Sequence, residues 1–129
     1  MYDTFKDDRM RYFKTPWFQR FAEKEDITDD DLKALIAEME SGTIHANLGG
    51  YVYKQRLSRK GEGKSGGYRT LLFFRSGERV FFRYAYAKSD RANITQRELL
   101  VLKDAAKIYM EMSPEDLAVA IKAKKIIEF

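Results

Sequence analysis

The sequence predicts an α+β fold, and three observations carry that expectation. Helix-capping signals gather toward both ends of the chain, alternating strand patterns fill its middle, and a short glycine-containing connection joins two of those strands. In 129 residues this order gives helices, three antiparallel strands and helices again, as one domain with helices against one face of a small sheet.

The helix starts are legible one by one. Thr15-Pro16 sets an N-cap before a proline at the first helical position, ahead of Trp17, Phe18 and Phe21. Thr28 followed by Asp29, Asp30 and Asp31 is an acid-rich start favoured by the helix dipole. It leads into Leu32, Leu35, Ile36 and Met39 at helical spacing, and Ser41-Gly42 stops the run. Thr95-Gln96-Arg97-Glu98 is a capping box ahead of Leu99, Leu102, Ala106 and Tyr109. Ser113-Pro114-Glu115-Asp116 opens a last helix with Leu117 and Ile121, and Ile126 to Phe129 reads as a short strand. Residues 1–14 are expected as an extension or an edge strand, and 113–129 as a C-terminal helix and tail.

Between the helices, Tyr51 to Leu57 alternates, with Val52, Lys54 and Arg56 on one parity and Tyr51, Tyr53 and Leu57 expected to face the core. Tyr68 to Arg75 and Arg79 to Ala87 flank Ser76-Gly77-Glu78 and read as a hairpin. The stretch Arg59 to Gly67, with Arg59, Lys60 and Lys64, is expected to be a mobile basic loop.

Composition narrows the function classes. There is no cysteine, so disulfides and cysteine-ligated zinc are excluded. No apolar run approaches the roughly 20 residues of a membrane span. The first residues are too charged for a secretory signal, and a cytoplasmic protein without a membrane partner is expected. The net charge of +4 hides an asymmetry. Val52 to Arg91 holds eleven Lys and Arg against three acidic residues, while the remainder holds thirteen against seventeen. A basic centre between acidic flanks suits a polyanion, although solvated strands give the same pattern.

Most catalytic devices are missing. His45 is the only histidine and is expected in an Asn/Gly-containing turn, so a two-histidine acid–base pair is impossible. No serine lies in a nucleophile elbow, and no carboxylate spacing suggests a metal, so neither metal nor cofactor is expected. Gly61-Glu62-Gly63-Lys64-Ser65 fails as a phosphate loop because Ser58 stands at the earlier glycine and a strand follows. What remains is a sheet bearing Lys54, Arg56, Arg69, Arg83, Tyr84, Tyr86 and Lys88. Cutting RNA by attack of its own 2′-hydroxyl needs a proton acceptor, positive charge at the phosphorane and a proton donor to the leaving 5′-oxygen. Clustered Lys and Arg can meet the first two needs, and rings beside them can stack on unpaired bases.

Three segments also carry a resemblance: Tyr53-Lys54-Gln55-Arg56-Leu57, Gly66-Gly67-Tyr68-Arg69-Thr70-Leu71-Leu72-Phe73-Phe74 and Tyr86-Ala87-Lys88. In this order and spacing they resemble the sheet of the RelE/ParE superfamily of type II toxins, and the Gly/Lys-rich loop with the Tyr-x-Lys ending is similar to its HigB-like branch. The likeness runs from about Thr15 onward; Met1 to Lys14 carries little of it. It implies the RelE-like toxin fold and a ribosome-dependent mRNA endoribonuclease (an mRNA interferase) that inhibits translation. It further implies silencing by a cognate antitoxin, a HigA-like helix-turn-helix protein through which alone operator DNA is bound. Carried over by position, Arg69 stabilises charge at the scissile phosphate, Lys54 and Arg56 position or activate the 2′-hydroxyl, and Tyr86 and Lys88 transfer a proton or stack. Arg59, Lys60, Lys64, Arg83, Tyr84 and Arg91 contact RNA or the ribosome. The chain departs where some relatives carry a further arginine or a tyrosine in the last helix: Ser89 follows Lys88 and Tyr109 lies late in its helix, which leaves the proton donor open. Three other readings remain: a ParE-like inhibitor of DNA gyrase that cuts nothing, a non-toxic basic nucleic-acid-binding module, and a protein whose aromatic face serves only a protein partner.

Overall fold

A computed structural model describes residues 10–58 and 67–129. Its elements run β1 (Arg11–Lys14), α1 (Pro16–Glu25), α2 (Asp29–Glu40), β2 (Ala46–Gly49), β3 (Val52–Leu57), β4 (Tyr68–Arg75), β5 (Arg79–Ala87), α3 (Gln96–Glu111), α4 (Pro114–Lys122) and β6 (Ile127–Glu128). The strands form one sheet in the order β2-β3-β4-β5-β1-β6. Neighbours are antiparallel except β1 and β5, which run parallel. The α+β class holds.

Each expected cap is present. Thr15, Thr28, Thr95 and Ser113 accept from the backbone N–H three residues on, and the last three complete reciprocal capping boxes with Asp31, Glu98 and Asp116. These bonds satisfy amides that the first helical turn leaves unpaired.

The sheet is covered on both faces, where one covered face was expected. On the first, Phe18 and Ala22 of α1 and Leu32, Leu35, Ile36 and Met39 of α2 pack on Leu57, Tyr68, Leu72, Phe74 and Phe82. On the second, Leu102, Ala106 and Met110 of α3 and Leu117 and Ala120 of α4 pack on Phe13, Val52, Leu71, Phe73 and Phe81. Topology explains the arrangement: the α1–α2 connection crosses one face on its way to β2, and the α3–α4 connection crosses the other before β6. Strand β4 is accordingly buried at nearly every position rather than at alternate ones.

Three further expectations change. Tyr51 is exposed at 42%, in left-handed backbone at φ 69°, whereas Val52 is fully buried, so both parities of β3 meet a core. The segment after His45 is a strand, β2, turning back into β3 through Gly49 and Gly50, rather than only a turn. Residues 11–14 lie between β5 and β6, inside the sheet rather than at its edge. The expected mobile basic loop falls almost wholly outside the described residues.

Candidate functional site

Strand register builds the site. On the second face three cross-strand rows follow one another over β3, β4 and β5. The first is Val52–Phe73–Phe81, the next Lys54–Leu71–Tyr84, and the last Arg56–Arg69–Tyr86. Directly opposed side chains stand about 4.5–5.5 Å apart at Cβ, so each row is a contact set. Moving along the strands, the face passes from apolar, beneath α3, to cationic and phenolic at its end.

A β-bulge makes this possible. Between Leu71 and Leu72 the pairing slips, leaving Arg83 as an extra residue of β5. Without it, the alternation from Phe81 would bring Arg83, Ala85 and Ala87 to this face; with it, Tyr84 and Tyr86 take their place. Thr15 holds the bulge, its amide donating to the Phe82 carbonyl at 3.1 Å and its hydroxyl to the Arg83 carbonyl at 3.2 Å.

The segment after β5 folds back over the rows. Lys54 Nζ donates to Asn93 Oδ1 at 3.2 Å. Arg91 sits over the Tyr86 ring, 5.4 Å from its centroid, and donates to both Glu98 oxygens at 2.6 and 3.1 Å. Glu98 also accepts from the Thr95 amide at 2.7 Å. The Arg91 guanidinium first, and the Thr95 amide second, hold the Glu98 carboxyl down to about 2.

Tyr86 is only 5% exposed, and its hydroxyl has no hydrogen-bond partner among the described residues. Burial pushes its phenol above the ordinary tyrosine value, against the pull of Arg91 and Arg69. The ring is in its protonated, neutral form at neutral pH, as an ordinary tyrosine is. Arg69 is itself 8% exposed and reaches the Tyr68 carbonyl at 3.5 Å.

The structure thus brings Lys54, Arg56, Arg69, Tyr84, Tyr86 and Arg91 together. Lys88 lies one residue past β5, exposed, with its amide donating to the Gly67 carbonyl at 3.3 Å. Arg83 occupies the bulge. Arg59, Lys60 and Lys64 fall outside the described residues. Asn93 and Glu98 join the site from beyond β5, and Glu98 was legible in sequence only as half of a capping box. His45 also lies beside the last row: its Nδ1 accepts from the Arg56 amide at 2.9 Å, a bond that requires the neutral ring with the proton on Nε2. Among the described residues no three His, Asp or Glu are grouped to hold a metal ion, and no helix is long and apolar enough to cross a membrane.

An α+β domain whose sheet ends in a row of arginine and buried phenol, with a lysine one row away, has the frame of a small toxin. The family model for the RelE toxin of the RelE/RelB toxin–antitoxin system matches residues 10–129, so the chain belongs to the RelE toxin family. It is the toxin component of a toxin–antitoxin pair, with a cognate antitoxin as its partner. No curated protein matches it.

Proposed function

We propose that this toxin is a metal-independent endoribonuclease that cuts mRNA on the ribosome and thereby stops translation. The observation that carries the reading is the Arg56–Arg69–Tyr86 row, in which two arginines stand in line with a buried phenol whose hydroxyl is unpartnered among the described residues. In the reaction the 2′-oxygen loses its proton and attacks phosphorus, the bond from phosphorus to the 5′-oxygen breaks, and the leaving oxygen gains a proton. The products are a 2′,3′-cyclic phosphate and a 5′-hydroxyl. Lys54 and Arg56 position the 2′-hydroxyl and assist its deprotonation. Arg69 offsets the charge that builds on the phosphorane. Tyr86, beside Arg69 in the row and protonated at neutral pH, is the candidate donor to the leaving oxygen, with Lys88 at the rim as the other candidate. Arg83, Tyr84 and Arg91 line the path of the strand, and Arg59, Lys60 and Lys64 would grip ribosomal RNA. The setting is the cytoplasm, and the antitoxin would be a HigA-like helix-turn-helix protein that alone contacts operator DNA.

The test is cleavage of message in a translating extract, mapped by primer extension. Wild type is expected to cut only ribosome-bound mRNA. Tyr86→Phe is expected to lose about 100-fold or more in rate, the scale of one general acid. It should unfold at the same urea concentration as wild type, because it removes a hydroxyl with no partner. Arg56→Ala, at an exposed position, should likewise lose activity without losing stability. Growth arrest with intact message and inhibited gyrase would overturn the reading in favour of the ParE-like alternative.

A further inference from the structure

Beside the rows, between the first half of α3 and the bulge of β5, lies a cleft of about 520 Å³. That volume falls within the range of small-ligand sites, roughly 300–1,000 Å³. Its floor is Leu71 and Leu102, apolar and buried. Its wall is aromatic: the Trp17 and Tyr84 rings stand 4.6 Å apart, and Phe21 stacks on Trp17 at 5.5 Å. Arg83 and Arg97 stand at its border, neither in an ion pair among the described residues. The single acid in the lining, Glu98, is already bound by Arg91, so the cleft presents positive charge.

From this geometry we infer that the cleft takes one unpaired nucleobase of the substrate RNA, belonging to a nucleotide next to the cut, with Arg83 and Arg97 on its phosphate. The inference rests on the nuclease reading of the rows. An apolar floor, an aromatic wall and two cations fit a flat base joined to an anion, since stacking supplies contact area and arginine supplies the counter-charge. Continuity places the site on the strand's path. Leu71 and Tyr84 belong both to the cleft and to the Lys54 row, one row from Arg56–Arg69–Tyr86. Successive rows are two residues apart, about 6.8 Å along the strand, so an extended RNA lying across the rows reaches the cleft without leaving the protein.

Trp17 is the chain's single tryptophan, so its fluorescence reports the cleft directly. The purified toxin is titrated with a 2′-O-methyl RNA hexanucleotide, which binds but cannot be cut. Saturable quenching of Trp17 is expected. Val101→Phe fills the cleft from a position 58% exposed, so the fold tolerates it. This variant is expected to weaken the apparent affinity at least tenfold, with an unchanged urea midpoint, and to alter the pattern of cut sites in the translating extract. Absent quenching, or a Val101→Phe titration that matches wild type, overturns the base site. So does quenching by the antitoxin alone, which would give the cleft to the protein partner. The two readings fail separately: cleavage without quenching removes the base site and leaves the nuclease, while quenching without cleavage removes the nuclease and leaves a base-binding cleft.

Discussion

Glu98 joins two parts of the molecule through one carboxylate, which caps α3 through the Thr95 amide and fixes Arg91 over the Tyr86 ring. Its folded value of about 2 lies below the ordinary 4.5, so ionised Glu98 favours the folded state above the ordinary value. That contribution disappears as pH falls from about 4.5 to about 2. Urea unfolding of wild type against Glu98→Gln should therefore show a gap that is constant near neutrality and closes across that window. A gap independent of pH would mean the carboxylate charge contributes nothing. At this scale much of the site was legible. Lys54, Arg56, Arg69 and Tyr86 stand out because alternation puts cations and phenols where an inner strand carries aliphatics. Asn93 and Trp17 were not legible as site residues, since each reaches the rows from a distant segment and neither has a local signature of that role.

Thr15 shows how one side chain can serve two elements. Its hydroxyl accepts from the Phe18 amide to cap α1, and donates to the Arg83 carbonyl at the bulge. Thr15→Ala is expected to cost about 1–2 kcal/mol in urea unfolding, the range for a lost cap, and to lower cleavage by loosening the segment that carries Tyr84 and Tyr86. Thr15→Ser, which keeps the hydroxyl, should restore both. If alanine lowers stability but leaves activity intact, the bulge does not depend on Thr15. Helices were readable from sequence because a cap is a local bond between residues three apart. The short strand β2 was not: Ala46, Asn47, Leu48 and Gly49 include neither a β-branched nor an aromatic residue, and only pairing with β3 makes them a strand. Nor does anything near Arg83 announce a bulge, because the extra residue exists only relative to β4. The second covered face escaped for a related reason, since an unbroken run such as Leu71 to Phe74 marks burial without saying what covers it.

For the molecule as a whole, two cores share one sheet, and Phe13 of β1 is fully buried in the second of them, stacked on Phe81 at 4.8 Å. Phe13→Ala is expected to cost about 3–5 kcal/mol, enough to leave a domain of this size only marginally folded; a loss below 1 kcal/mol would mean that β1 is dispensable. The same strand has a consequence in time. Arg11 and Glu128, separated by 117 positions, are joined by a bidentate pair at 2.8 and 2.9 Å, and β1 is bordered on that side only by β6. Such a contact must wait until residue 128 has been made, and closing so long a loop is slow. During synthesis, then, the β1–β6 seam stays open until residues 127 and 128 have cleared the exit tunnel. Until then β1 has only β5 beside it, and a protein proposed to attack ribosomes stays unfinished at that seam.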